Sequence, residues 1–159
     1  MALRKLFMAG LFALGLAGCS HDVAHLSLGP DYGLYYNDQG ETVALAYGLP
    51  NSDVVALMLQ CPKGQGRVEV SDVARGKPVQ TLVLSSDGKR TSVPVKIDPT
   101  ETEGQRTLSG QTTLAAPALG AFRRSGVIDV AQGPVRYTVT ASPAEREGIE
   151  RFFRVCGAA

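Results

Sequence analysis

The feature that most constrains this chain is an apolar alternation with a period of two. Val43, Leu45 and Tyr47 alternate with Thr42, Ala44 and Ala46. Val55, Leu57, Leu59 and Cys61 share one parity against Ala56, Met58 and Gln60. Val93, Val95 and Ile97 repeat the pattern, as do Val135, Tyr137, Val139 and Ala141. Successive side chains of a strand point to opposite faces, so each run predicts a strand with one face on a core. Weaker candidates fall at 32–36, 67–71, 79–84, 106–114 and 127–130. Pro94 has no N–H to give a ladder, which predicts an edge position for its strand. Turn formers separate the runs: Asn37-Asp38-Gln39-Gly40, Pro50-Asn51-Ser52-Asp53, Lys63-Gly64-Gln65-Gly66 and Asp87-Gly88-Lys89. Short strands joined in this way predict a mainly β chain, an antiparallel β-sandwich or open barrel, rather than a parallel sheet with crossover helices.

Two helices interrupt the pattern. A short internal one is expected over 117–124, with Leu119 and Phe122 on one face and Gly126 as its stop. The second is a C-terminal amphipathic helix. Ser142-Pro143-Ala144-Glu145 reads as a capping box with Pro at the first helical position. Ile149, Phe152, Phe153 and Cys156 then recur at helical spacing to form one apolar face. Glu147 and Glu150 stand four residues before Arg151 and Arg154, which predicts ion pairs along the wet side.

The N-terminus has a different character. Arg4 and Lys5 precede an apolar run from Leu6 to Leu16. That run is well short of the ~20 residues a helix needs to cross a bilayer, and it ends in small residues, the layout of a secretory signal. Leu16-Ala17-Gly18-Cys19 matches the lipobox at all four positions, and here the chain resembles the bacterial lipoproteins. The resemblance implies a signal peptide over 1–18, diacylglycerol on the Cys19 sulfur and membrane attachment through that lipid. A lipidated tether over 19–28 would then lead into a single domain over 29–159. Ser20, where an Asp would mark inner-membrane retention, resembles the outer-membrane-sorted class and implies a lipid anchor in the outer membrane, facing the periplasm.

An exported domain meets an oxidising compartment, and two further cysteines remain. Cys61 lies on the apolar face of its strand and Cys156 on the apolar face of its helix. Both faces require the same core, so a Cys61–Cys156 disulfide is expected. The alternative is a pair of separate buried thiols.

Other constellations carry a plainer reading beside the chemical one. His21 and His25 would share a helical face as a zinc pair, but they sit on the tether without a visible third ligand. Tyr32, Tyr35 and Tyr36 suit a sugar-stacking or partner surface, or ordinary sheet packing. Lys63-Gly64-Gln65-Gly66-Arg67 offers amides to an anion but lacks phosphate-loop spacing; a hairpin turn explains it. Arg123 and Arg124 are expected to face the end of the short helix and solvent. Asp98, Glu101 and Glu103 match no calcium loop and read as a solvated segment. No catalytic, metal or cofactor-binding residues are assigned. The chain carries no Gly-x-Ser-x-Gly and no His-Glu-x-x-His, and its two histidines both precede the domain, which argues against an enzyme. A net charge of +1 provides no concentrated basic surface, so a nucleic-acid partner is not expected.

Leu59-Gln60-Cys61 and Phe152-Phe153-Arg154-Val155-Cys156-Gly157 are loosely similar to small periplasmic β-sandwich proteins of proteobacteria. Some of those accompany type VI secretion systems or are called invasion-associated. The resemblance implies no site. The function expected is a membrane-tethered, non-catalytic binding or structural module of the cell envelope, its partner an envelope protein or a glycan. The alternatives are an inhibitor of a periplasmic or host hydrolase and, less favoured, a hydrolase that uses carboxylates.

Overall fold

A computed structural model describes residues 23–100 and 104–157. These form ten strands and two helices: β1 (Ala24–His25), β2 (Gly33–Gln39), β3 (Thr42–Gly48), β4 (Val55–Pro62), β5 (Arg67–Val73), β6 (Thr81–Ser86), β7 (Lys89–Pro99), β8 (Arg106–Thr113), α1 (Pro117–Ser125), β9 (Val127–Gln132), β10 (Val135–Thr140) and α2 (Arg146–Gly157). The strands make one curled sheet, a half-barrel, in the order β1-β10-β9-β6-β7-β8-β5-β4-β3-β2. Every pairing is antiparallel except that of β1 with β10. The open-barrel form of the expected fold is therefore the one adopted.

The period-two runs decide which face curls inward. Val43, Leu45, Leu57, Leu59, Val68, Val70, Leu82, Leu84, Ile128 and Val130 are all buried. The curl leaves an apolar trough, and the helices fill it. α1 packs on β6 and β7, while α2 packs on β2 and β3 and touches α1. Phe122 of α1 and Phe152 of α2 are at most 1% exposed. Burying an aromatic side chain of this size contributes about 2–3 kcal/mol.

The strand carrying Pro94 is not an edge. β7 lies inside the sheet but changes partner along its length: Lys89–Pro94 pairs with β6 and Val95–Pro99 with β8. The switch falls at Pro94, the residue with no N–H to contribute, so the rule against proline in a central ladder is met locally. Gly110 of β8 makes the corner possible, because a Cβ there would strike the Pro94 carbonyl and come within 2.8 Å of Val93 Cγ1.

The sheet begins at Ala24, inside the stretch 19–28 read as tether. β1 and β2 are the two outer edges of the half-barrel and are consecutive in sequence, so the segment 26–32 runs from one edge to the other. Leu28 and Tyr32 pack on the core along the way.

Candidate functional site

The C-terminal helix is fastened at both ends. Cys61, near the end of β4, is bonded to Cys156 in the last turn of α2, with Cα atoms 5.8 Å apart. The hairpin loop after β4 meets the same turn. The Gly64 amide donates to Val155 O (3.1 Å) and the Gly66 amide to Cys156 O (2.9 Å). A helix leaves its last carbonyls without internal partners, and this loop supplies them. Of the amides read as a possible anion cradle, those of Gly64 and Gly66 are committed to α2, that of Lys63 to Glu41 O and that of Gln65 to Pro62 O. Lys63 completes the corner by pairing with Asp38 (2.6 Å).

At the other end the capping box forms. Glu145 Oε2 accepts from the Ser142 amide (2.6 Å), and Glu145 Oε1 accepts from the Leu34 amide of β2 (2.7 Å). One carboxylate therefore caps the helix and takes a donor on the edge strand. Burial pulls the Glu145 carboxyl upward, but the Leu34 amide and the Ser142 contacts outweigh it and hold it below its ordinary value. Edge strands invite pairing with other chains, and α2 masks this one. A Cβ on Gly148 would lie 3.2 Å from Tyr36 Cβ, and the Arg151 guanidinium sits 4.8 Å over the Tyr36 ring.

A polar cluster that the sequence analysis missed is buried at one end of the trough. Asp72 of β5 is 2% exposed. Its Oδ1 accepts from Arg75 Nη1 (2.7 Å) and its Oδ2 from Gln132 Nε2 of β9 (2.6 Å). Gln132 Nε2 also reaches Val73 O (2.8 Å), while Gln132 Oε1 accepts from the Arg75 amide (2.8 Å). The Arg75 guanidinium stacks 4.7 Å over the ring of buried Tyr137. β5 and β9 belong to opposite arms of the sheet, so the cluster ties one arm to the other. Burial pushes the Asp72 carboxyl above its ordinary value; Arg75 and Gln132 offset this only in part. Burial drives the Tyr137 phenol well above its own. The available signals were two polar residues at core parity: Asp72 after Val68 and Val70, and Gln132 after Ile128 and Val130.

The remaining candidates are dispersed. Cys19, His21, Glu101 and Glu103 lie outside the described residues. His25 is exposed on β1 beside Arg136 of β10. Asp98 Oδ2 accepts from Ser109 Oγ (2.8 Å). No group of three metal-binding side chains occurs among the described residues. The tyrosines divide: Tyr32 packs 5.5 Å from Tyr47, Tyr36 lies under Arg151, and Tyr35 stands 39% exposed on the outer face. Arg123 pairs with Glu150 of α2 (2.7 Å), so Glu150 joins the two helices, while the expected pairs Glu147–Arg151 and Glu150–Arg154 do not close to ion-pair distance. Arg124 Nη1 donates to Gly120 O (2.9 Å).

The outer face of the sheet carries two shallow polar depressions. A depression of about 400 Å³ is lined by Glu69, Pro94, Lys96, Ser109, Gly110 and Gln111. A smaller one of about 110 Å³ is lined by Thr42, Gln60, Pro62, Arg67, Glu69 and Gln111. Glu69 and Gln111 line both, so the two depressions adjoin along this cross-strand pair and together make up a shallow outer groove that reaches five strands. Gln60, Glu69 and Gln111 stand in register on β4, β5 and β8. No family model, curated protein or solved structure matches this chain.

Proposed function

We propose that this chain is a lipid-tethered lipoprotein of the bacterial cell envelope that binds a glycan or an envelope protein and does no chemistry. The lipobox Leu16-Ala17-Gly18-Cys19 supports the anchor. The Cys61–Cys156 bridge suits an oxidising compartment. The observation that carries the binding role is the outer groove. Its in-register amides and carboxylate repeat at the ~4.8 Å spacing of neighbouring strands and offer alternating donors and acceptors. A polyhydroxylated, amide-bearing chain such as a peptidoglycan glycan presents complementary groups.

Co-sedimentation with purified peptidoglycan tests the reading. Glu69→Ala and Gln111→Ala lie on an exposed face and should weaken binding several-fold without lowering stability. Sedimentation that is equally strong for both variants would remove the groove from the account. Cross-linking in the native envelope would then identify a protein partner. Cys19→Ser should move the chain out of the membrane fraction or leave it as an uncleaved precursor.

A second reading, inhibition of a hydrolase, is favoured by the β3–β4 loop. Ser52 Oγ accepts from the Val54 amide (3.1 Å) and donates to Leu49 O (3.1 Å), and the Leu49 amide closes onto Val54 O (2.9 Å). This braced loop presents Val54 at 49% exposure, the form of an insertion loop. Loss of inhibition of an envelope hydrolase on Val54→Asp would support it.

A further inference from the structure

We propose that the β1 end of the half-barrel is the surface this protein holds against a phospholipid bilayer, an inference that rests on lipidation of Cys19. β1 is pinned to β10 by bonds from the Ala24 amide to Pro134 O (3.0 Å) and from the Leu26 amide to Arg136 O (2.7 Å). The chain thus enters the fold beside the β9–β10 turn at Gly133 and Pro134. Loop 74–80 flanks that turn. A Cβ on Gly133 would lie 3.4 Å from Val79 Cγ1, and one on Gly76 would lie 3.8 Å from Val135 Cγ2.

The tether that remains is short. Cys19 and Ala24 are five residues apart, a reach of at most roughly 18 Å when fully extended. The acyl chains would start at Cys19 itself, so this corner stays within that reach of the headgroups, and the domain cannot range freely through the compartment. The opposite end of the same arm is kept away. β6 runs from Leu82, opposite Gln132, to Ser85, opposite Asp129, and on to the Asp87-Gly88 turn. A strand of that length places the turn about 20 Å further from the entry corner.

The side chains at the entry corner suit a lipid surface. Val23 and Leu26 are 46% and 38% exposed, among the exposed large apolar residues of the described chain. Arg136, whose carbonyl accepts from the Leu26 amide, and Lys77, in the loop that flanks the turn, are both exposed, and His25 lies opposite Arg136. Cations attract anionic headgroups, while apolar side chains enter the interfacial zone. A partner must then be met close to the membrane, from the side of the domain that faces away.

The sequence contains no tryptophan, so a single introduced one is a unique reporter. The full lipidated chain carrying Leu26→Trp or Lys89→Trp would be reconstituted in phosphatidylethanolamine–phosphatidylglycerol vesicles containing a headgroup-nitroxide lipid. Val23→Trp provides a second reporter should Leu26→Trp disturb β1. Fluorescence at position 26 should be quenched several-fold more than at position 89. Replacing Lys77 and Arg136 by Glu should reduce quenching at 26. Equal quenching at both positions, or none at 26 in protein whose lipid is verified by mass spectrometry, overturns the orientation alone. Absence of the lipid overturns both the orientation and the lipoprotein reading.

Discussion

Asp72 and Glu145 show how two carboxylates of one chain take opposite pKa directions from their surroundings. Asp72 is buried against one cation and one amide, and desolvation wins. Removing a partner from such a pair strands a buried charge, which typically costs several kcal/mol. Arg75→Met should therefore lower stability by about 3 kcal/mol in urea unfolding, far more than an exposed arginine substitution would. Glu145 is more accessible and collects hydrogen bonds, so its carboxylate is favoured in the fold. A group whose folded pKa is depressed contributes stability above its unfolded pKa and loses it as pH falls through the folded value. Glu145→Gln should thus be less stable than the parent near pH 7. The gap should close below about pH 4, the ordinary glutamate range, when unfolding is followed against pH.

Both helices depend on contacts from distant parts of the chain. α1 has Ala116 at its N-cap position, which offers no side-chain oxygen; Thr91 Oγ1 of β7 accepts from the Ala118 amide instead (3.1 Å). Thr91→Val should cost about 1 kcal/mol, as loss of an N-cap does. At its other end Gly126 adopts φ 71°, and Arg146 Nη2 donates to Arg124 O. α2 is held by Glu145, by the loop after β4 and by the disulfide. Cys61 and Cys156 are 95 residues apart. Closing a loop of that size stabilises by roughly 4–5 kcal/mol in the chain-entropy model. Reduction, or the paired change Cys61→Ser with Cys156→Ser, should lower the melting temperature by at least ~8 °C, at 2 °C or more per kcal/mol. Recovery of both cysteines as alkylatable thiols from envelope-purified protein would contradict the bridge in the native setting.

At the scale of the whole molecule, the half-barrel is a rigid frame that leaves its outer face to solvent. Its interior carboxylate, Asp72, accepts hydrogen bonds from Arg75 and Gln132 and ties the two arms together. On the proposed binding role, the protein should show no hydrolysis of peptides, esters or glycans above background. Saturable turnover abolished by one carboxylate substitution would reverse that expectation. The same frame determines presentation: the chain enters at β1 and the groove spans β3, β4, β5, β8 and β7.

How much of this was legible in the sequence follows from the range of each interaction. The strands, the capping box and the apolar stripe of α2 depend on residues a few positions apart, and alternation or helical spacing reports them directly. The disulfide was legible because Cys61 shares strand parity with Leu57 and Leu59 and Cys156 shares a helical face with Ile149 and Phe152. The Asp72–Gln132 contact joins residues 60 apart, and the loop after β4 meets the end of α2 across a still longer separation. Gln132 continues the parity of Ile128 and Val130, which marks it as inward-facing but does not name its partner, and nothing local distinguishes Gly64 and Gly66 from ordinary turn glycines. The partner switch at Pro94 and the pairing of β1 with β10 likewise required the curl of the sheet. The sequence by itself determined which faces must be buried, because burial is encoded by local period. Only the tertiary structure decided which buried faces meet, because strand order and polar pairing arise where distant segments converge.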